Sequence, residues 1–339
     1  MTKFLDEISK STGQKFYYLK LYACTNLFNL NEDPHFSLKR QLGQFFNPQL
    51  IGSYRPSVLE VISSRLDSLS KVSDTDLIES YINPTASSSI YKLLGLSLRY
   101  HDQYQSLISS LLRLTDLSIP ISIKGYYHLE QEAKNLYDLI TSDLADAAAQ
   151  PLAPLSFYRF YADKDQFSHE QTVSYMMVLL AAGISMRHTL ANLIVHLFSI
   201  PANLRKSFLE CNSQEQSIEK LLYISGGVRN LFRLIADPED ASELRANPGD
   251  MLVLGIANAN LEVIGNTCPF STANQYTKNE NFAFGKGVHR CIGESFSRMF
   301  LEIALLEFAE RYPNASLLDD YIANFSTTSK TETLFVKLR

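Results

Sequence analysis

A mainly α-helical fold with small β-sheets is what this sequence predicts, and three observations carry it. Apolar residues recur at three- and four-residue steps along most of the chain. One segment, "SHEQTVSYMMVLLAAGISMRHTLANLIVHLFSIP", reads as a single long helix with a start and a stop signal. Only short stretches near its end, "RNLFRLIADP", "NPGDMLVLGIANAN" and "NFSTTSKTETLFVKL", have the β-branched or alternating character of strands. No Pro- or Gly-rich linker divides the 339 residues, so 1–339 reads as one domain.

Taken in order, residues 1–30 form a short lead-in segment with charges every few positions, and no uninterrupted apolar run nears the roughly 18 residues that span a bilayer. No membrane association is expected. "PHFSLKRQLGQFF" (34–46) opens with a proline compatible with a first helical turn. Further helices are expected at about 55–70, 77–95, 101–115 and 127–149 from the same periodicity. The long central helix, within 168–200, starts on a Ser168/Gln171 capping-box pattern and stops at Pro201. It is apolar nearly all round from Met176 to Gly183, which predicts a path through the core. Gly183 costs about 1 kcal/mol relative to alanine and leaves room beside the backbone. Two short helices follow Pro201, then the two short strands. A last helix runs from near Cys291 to about Tyr312, with Ile292, Phe296, Met299, Phe300 and Ile303 on one face, and a hairpin ends the chain.

Composition narrows the function classes. The formal net charge is −5 with both signs mixed along the chain, which leaves no basic footprint for nucleic acid. The four cysteines have no paired spacing, as expected of a chain kept in a reducing cytoplasm.

One of those cysteines stands in "FGKGVHRCIG" (284–293). Gly285 and Gly287 permit tight turns before it, and the helix after it offers unpaired N–H groups that favour a thiolate. Such a thiolate can be a nucleophile, a heme ligand or simply a small buried residue. A zinc site is disfavoured, because no CxxC or HxxxH accompanies it.

The ten residues resemble, position for position, the cysteine-ligand loop of the cytochrome P450 family: aromatic, glycine, any, glycine, any, basic, any, cysteine, aliphatic, glycine. "NEDPHFSLKRQLGQFFNPQLI", "DTDLIESYINPTASSSIYKLLGL", "DQFSHEQTVSYMMVLLAAG" and "ANPGDMLVLGIANAN" resemble further family segments, so the likeness covers about 31–339. It implies a single cytochrome P450-like heme domain with an abbreviated N-terminus, carrying heme b. Within that implication Cys291 is the iron ligand and Phe284 packs near its sulfur. Gly285, Gly287 and Gly293 shape the loop and its exit. His289, His35, Lys39 and Arg233 are the cations at the heme propionates. Ala182 and Gly183 line the central helix opposite the thiolate. Arg233, set in an apolar strand, is expected to be buried and paired.

Three departures from the family pattern stand out. Where the family reads Ala-Gly-any-acid-Thr, this chain has Ala182, Gly183, Ile184, Ser185 and Met186, followed by Arg187. Methionine cannot relay a proton and serine only passes one along water. Oxygen activation is therefore expected to be atypical, with peroxide use or one-electron coupling as the alternative and Arg187 as a candidate anchor for a substrate carboxylate. In "SIEKLLYISGG" the family's Glu-any-any-Arg is matched by Lys220 and Tyr223, and the partner arginine by Pro269, so the buried ion triad is absent. The third departure is the short segment before His35.

The resemblance thus implies an oxidative enzyme acting on a small organic molecule, in specialised metabolism, with a separate ferredoxin or flavodoxin type electron donor docking near Lys286, Arg290 and Arg298. A degenerate heme-binding protein without catalysis is the other alternative.

Overall fold

The computed structural model describes residues 1–115, 120–148, 155–236, 238–265, 268–270, 280–325 and 329–339. It is mainly helical with two small antiparallel sheets, and the chain divides into two compact units. One is built from Met1–Asp67, Asn83–Met186 and Ile292–Phe300, the other from Ser68–Ile82, Arg187–Cys291 and Leu301–Arg339. The central helix, His169–Phe198, contributes to both, as does the helix Glu294–Arg311.

In the first unit, the lead-in segment forms two helices, Thr2–Thr12 and Tyr17–Cys24, where the sequence reading had no element. Leu5 and Ile8 are the buried residues of the first helix, three apart on one face. The second is started from a distance. Glu130, on the helix Ile123–Ala148, accepts from the backbone N–H groups of Tyr17, Tyr18 and Leu19 at 3.0, 3.1 and 2.8 Å, which satisfies three donors that the helix start leaves open. Tyr126 and Tyr127 of the same long helix pack their rings on Phe4 and Phe16, with centroids 5.2 and 5.8 Å apart. These tyrosines therefore join the N-terminal segment to the core.

An aromatic cluster fills the middle of this unit. Phe45 contacts Phe46, Tyr54, Phe157 and Phe160, with Phe157 and Phe160 on the short helix Phe157–Ala162. The phenol of Tyr161 donates to the Gln41 carbonyl at 2.8 Å and that of Tyr54 to the Leu155 carbonyl at 2.5 Å, so both rings are buried with their hydroxyls satisfied. The expected helix at 77–95 is a π-helical turn, Ile78–Ile82, running into the α-helix Asn83–Leu94. The capping box forms as read: Ser168 Oγ accepts from Gln171 N at 3.2 Å, and Gln171 Oε1 accepts from Ser168 N at 3.0 Å. The helix it starts is long and apolar enough to cross a membrane by length and composition, and 59% of its most apolar window is buried inside the protein.

The second unit holds both sheets. The strands β1 (Asp74–Asp76), β2 (Asn230–Leu234), β3 (Met251–Gly255), β4 (Ser316–Phe325) and β5 (Ser329–Lys337) form a three-stranded sheet in the order β1-β5-β4 and a two-stranded β2-β3 ribbon. The ribbon runs Asn230↔Gly255 to Leu234↔Met251, matching the two stretches expected to be strands. "IANAN" departs from that reading: Ile256–Ile264 is a helix. The turn of the final hairpin lies outside the described residues. Tyr81 donates to the Ala304 carbonyl at 2.6 Å, fixing the π-helical turn to the helix Glu294–Arg311.

Candidate functional site

The cysteine loop takes its shape from two glycines and three backbone hydrogen bonds. Gly285 and Gly287 have φ of 70° and 67°, the left-handed region that side chains with a Cβ avoid. A Cβ added at Gly287 would meet nothing within 4 Å, and one at Gly285 only the His289 carbonyl at 3.9 Å. Their backbone conformation, and not crowding, is what calls for glycine. Gly285 N–H donates to the Phe282 carbonyl at 2.8 Å, Arg290 N–H to Gly287 at 3.1 Å, and Cys291 N–H to Phe284 at 2.8 Å. The last bond closes the loop on itself and leaves Cys291 exposed, with Phe284 and His289 half-buried. Lys286 lies over the Phe282 ring, 4.2 Å from its centre.

This donor set fits a thiolate-held cofactor that brings its own remaining ligands. Among the described residues no group of three or more His, Cys, Asp or Glu could hold a bare metal ion. One exposed thiol on a glycine-shaped loop is the donor that heme-thiolate ligation requires.

Arg233 is exposed on β2, in the two-stranded β2-β3 ribbon, its Nη1 donating to the Phe232 carbonyl at 2.8 Å. Arg187, in the same unit, is half-buried. Burial lowers its pKa from the usual arginine value and the Glu79 carboxylate counters that shift, while its Nε lies 3.5 Å from His188 Nε2. The structure therefore gives Arg187 an acidic neighbour in its own unit.

In the first unit, His35 is buried and Lys39, one turn on, is half-buried on the same side of the helix Glu32–Leu42. Gly293 accepts from Ser297 N–H at 2.9 Å and so begins the helix Glu294–Arg311. On the central helix the four residues of interest separate by face. Ala182 and Ser185 are exposed, and the Ser185 hydroxyl donates to the Ala182 carbonyl at 2.6 Å. Gly183 and Met186 are buried. The room beside Gly183 is taken: a Cβ there would lie 2.5 Å from Ile90 Cγ1 and 2.7 Å from Cδ1. Gly183 thus has a packing reason, the close approach of the helix Asn83–Leu94.

Lys220, Tyr223 and Pro269 form no ion triad. Lys220 is buried, its Nζ donates to Asn212 Oδ1 at 2.7 Å, and burial pushes its ammonium pKa down. Tyr223 packs in a small apolar cluster with Ile264. One position earlier, however, the sequence held a signal that the reading passed over. Glu219 is buried and accepts from Asn281 Nδ2 at 2.8 Å, and Asn260 Nδ2 donates to Asn281 Oδ1 at 3.2 Å. An acid inside one helix and an asparagine on the apolar face of a later one, Ile256–Ile264, were the available clue. Arg298, expected in a basic docking patch, is half-buried and its Nε donates to Glu294 at 2.9 Å, which neutralises it.

No protein-family model matches the chain. Curated relatives do. The chain is 22% identical to Cytochrome P450 CYP107DY1 of Priestia megaterium over 339 residues, 97% of this chain and 80% of that one. It is 23% identical to the Biotin biosynthesis cytochrome P450 of Bacillus subtilis over 294 residues, 85% of this chain and 73% of that one. Among solved structures, P450BioI in complex with hexadec-9Z-enoic acid ligated acyl carrier protein superposes with a TM-score of 0.83 at 20% identity, covering 96% of this chain and 85% of that one. The chain thus has the cytochrome P450 fold and is similar over most of its length to bacterial cytochrome P450s, proteins whose prosthetic group is heme b.

Proposed function

We propose that this chain is a heme-thiolate oxidoreductase that acts on a small organic molecule and activates its oxidant without the usual acid–hydroxyl pair. The observation that carries the reading is the Cys291 loop, two left-handed glycines and a Cys291–Phe284 backbone bond presenting one exposed cysteine. When bound, heme b supplies oxygen- or peroxide-activating redox chemistry. In the second unit, Cys291 would hold the iron, Phe284 would shield the sulfur, Gly285 and Gly287 would give the loop its path, and His289 and Arg233 would offer cations to the propionates. In the first unit, His35 and Lys39 would do the same, Gly293 would start the helix behind the loop, and Ala182 would present a small surface.

The distal residues support the atypical part. Ser185 spends its proton on the Ala182 carbonyl, and Met186 is a buried thioether with none to give. Protons then arrive along water or from the substrate, or the oxidant is peroxide, which brings its own. Arg187, half-buried with Glu79 as its counter-charge, supports a structural role better than that of a substrate anchor. Relatives named for biotin and polyketide biosynthesis support a small biosynthetic metabolite as substrate, in specialised metabolism. Electrons for a dioxygen route would come from a separate ferredoxin or flavodoxin type protein in the cytoplasm.

The test is spectroscopic. The reduced, carbon-monoxide-bound protein is expected to show the red-shifted Soret band of thiolate-ligated heme, and Cys291→Ser to lose it. A wild-type protein that takes up heme without that band refutes the reading. For the oxidant, Met186→Thr is expected to raise dioxygen-driven turnover several-fold and to leave peroxide-driven turnover within about twofold. Equal effects on both would sink the claim that the missing pair matters.

A further inference from the structure

The Cys291 loop is connected to the helix Gln214–Ser225 by a continuous run of hydrogen bonds made by one carboxylate and two carboxamides. Glu219, Asn260 and Asn281 are 2%, 1% and 3% exposed. Glu219 Oε1 accepts from Asn281 Nδ2 at 2.8 Å. A carboxylate only accepts, so it fixes which way the Asn281 amide points: nitrogen toward Glu219, oxygen toward the loop. That oxygen accepts from the Ala283 N–H at 2.8 Å and from Asn260 Nδ2 at 3.2 Å. Asn260 Oδ1 accepts in turn from the Phe282 N–H at 2.7 Å. The backbone carries the run onward, since the carbonyl of Phe282 holds Gly285 N–H and that of Phe284 holds Cys291 N–H, both at 2.8 Å. All of these residues belong to one compact unit.

We propose that Asn281 and Asn260 are positioning residues for Cys291, oriented by Glu219. The proposal rests on the heme-thiolate reading of Cys291. Two consecutive N–H groups just before Phe284 are each held by a buried side-chain oxygen, so the stem of the loop is fixed before its glycines turn. Glu219 acts as the reference that prevents Asn281 from flipping. In a chain with Lys220, Tyr223 and Pro269 at the triad positions, these amides do the holding.

The experiment compares the full-length, heme-loaded wild type with N281A, N281D and the double variant E219Q/N281D. N281D keeps an oxygen for Ala283 N–H but sets two carboxylates against each other. E219Q/N281D restores the pair with donor and acceptor exchanged, at unchanged shape. Two readouts are taken: amide hydrogen exchange over residues 281–291, and the fraction of the carbon-monoxide complex showing the thiolate Soret band at equal heme content. For N281A and N281D, exchange is expected to rise on the order of tenfold, with a fall in the thiolate fraction. The double variant should return both toward wild type. Wild-type-like exchange and Soret fraction in N281D, or no recovery in a folded E219Q/N281D, overturns the proposal. If N281A does not fold, the isosteric pair decides. A wild type without the thiolate band defeats the functional reading instead, and exchange over 281–291 still decides whether the network holds the loop.

Discussion

Asp143 lies 1% exposed, its Oδ2 accepting from Ser97 N–H and from the Tyr104 hydroxyl, both at 2.8 Å, while its buried Oδ1 has no hydrogen-bond partner among the described residues. Burial raises its pKa above the ordinary 3.8, the Ser97 and Tyr104 bonds acting the other way. The folded state therefore keeps this proton at pH values where the unfolded chain has lost it. Its contribution to stability is fullest below about 4 and falls as pH rises through the raised folded value. Asp143→Asn keeps an oxygen for both donors and removes the buried charge. It should be neutral or stabilising by about 1 kcal/mol at pH 7 and should flatten the fall in stability above about pH 4, as read by urea denaturation at several pH values. A variant that loses more than about 2 kcal/mol at pH 7 with the same pH slope would show that the carboxylate is needed as such. At this scale the cysteine loop was legible in the sequence because its chemistry is written within ten adjacent residues. The Glu219–Asn281–Asn260 run was not, because its three residues lie on separate segments that only the fold brings together.

Helices were readable wherever their apolar spacing was regular, as in Arg55–Leu69, His101–Leu111 and His169–Phe198. Tyr17–Cys24 was not, because its start is capped by Glu130, more than 100 residues further along. Glu130→Ala should cost about 1–2 kcal/mol in thermal or urea unfolding, and Glu130→Gln, which keeps one accepting oxygen, less than half of that. The glycine notch makes a second test. Gly183→Ala would gain up to about 1 kcal/mol in helix propensity. Its methyl would meet Ile90 at 2.5 Å, inside a packed contact, at a cost of about 1–3 kcal/mol. Net destabilisation is expected, and adding Ile90→Ala should turn the alanine at 183 from harmful to neutral or favourable. Additive behaviour in that double-mutant cycle would mean that Ile90 is not what the glycine admits.

For the whole molecule, two compact units that exchange chain segments have a thermodynamic consequence. The helices His169–Phe198 and Glu294–Arg311 serve both, so neither unit can unravel without disturbing a helix that the other uses. A single urea transition is expected, with far-UV circular dichroism and tyrosine fluorescence coinciding. Two separated midpoints would show units that unfold independently. The fold class was legible at this scale, since periodicity and length set it. The division into units was not, because contact density has no local signature in sequence.

The strand β1 gives the molecule a temporal order. Its register pairs Asp74 with Lys337, and Asp76 Oδ1 accepts from Leu334 N–H across 258 residues of chain. On the ribosome, β1 must wait for those 258 residues to be made before its neighbour exists. Until then the apolar residues beside it, Leu77 and Ile78, both buried in the finished protein, have no sheet to cover them. The sheet is thus sealed only once β5 has been made, and nascent chains stalled before β5 are the forms on which a chaperone should be found.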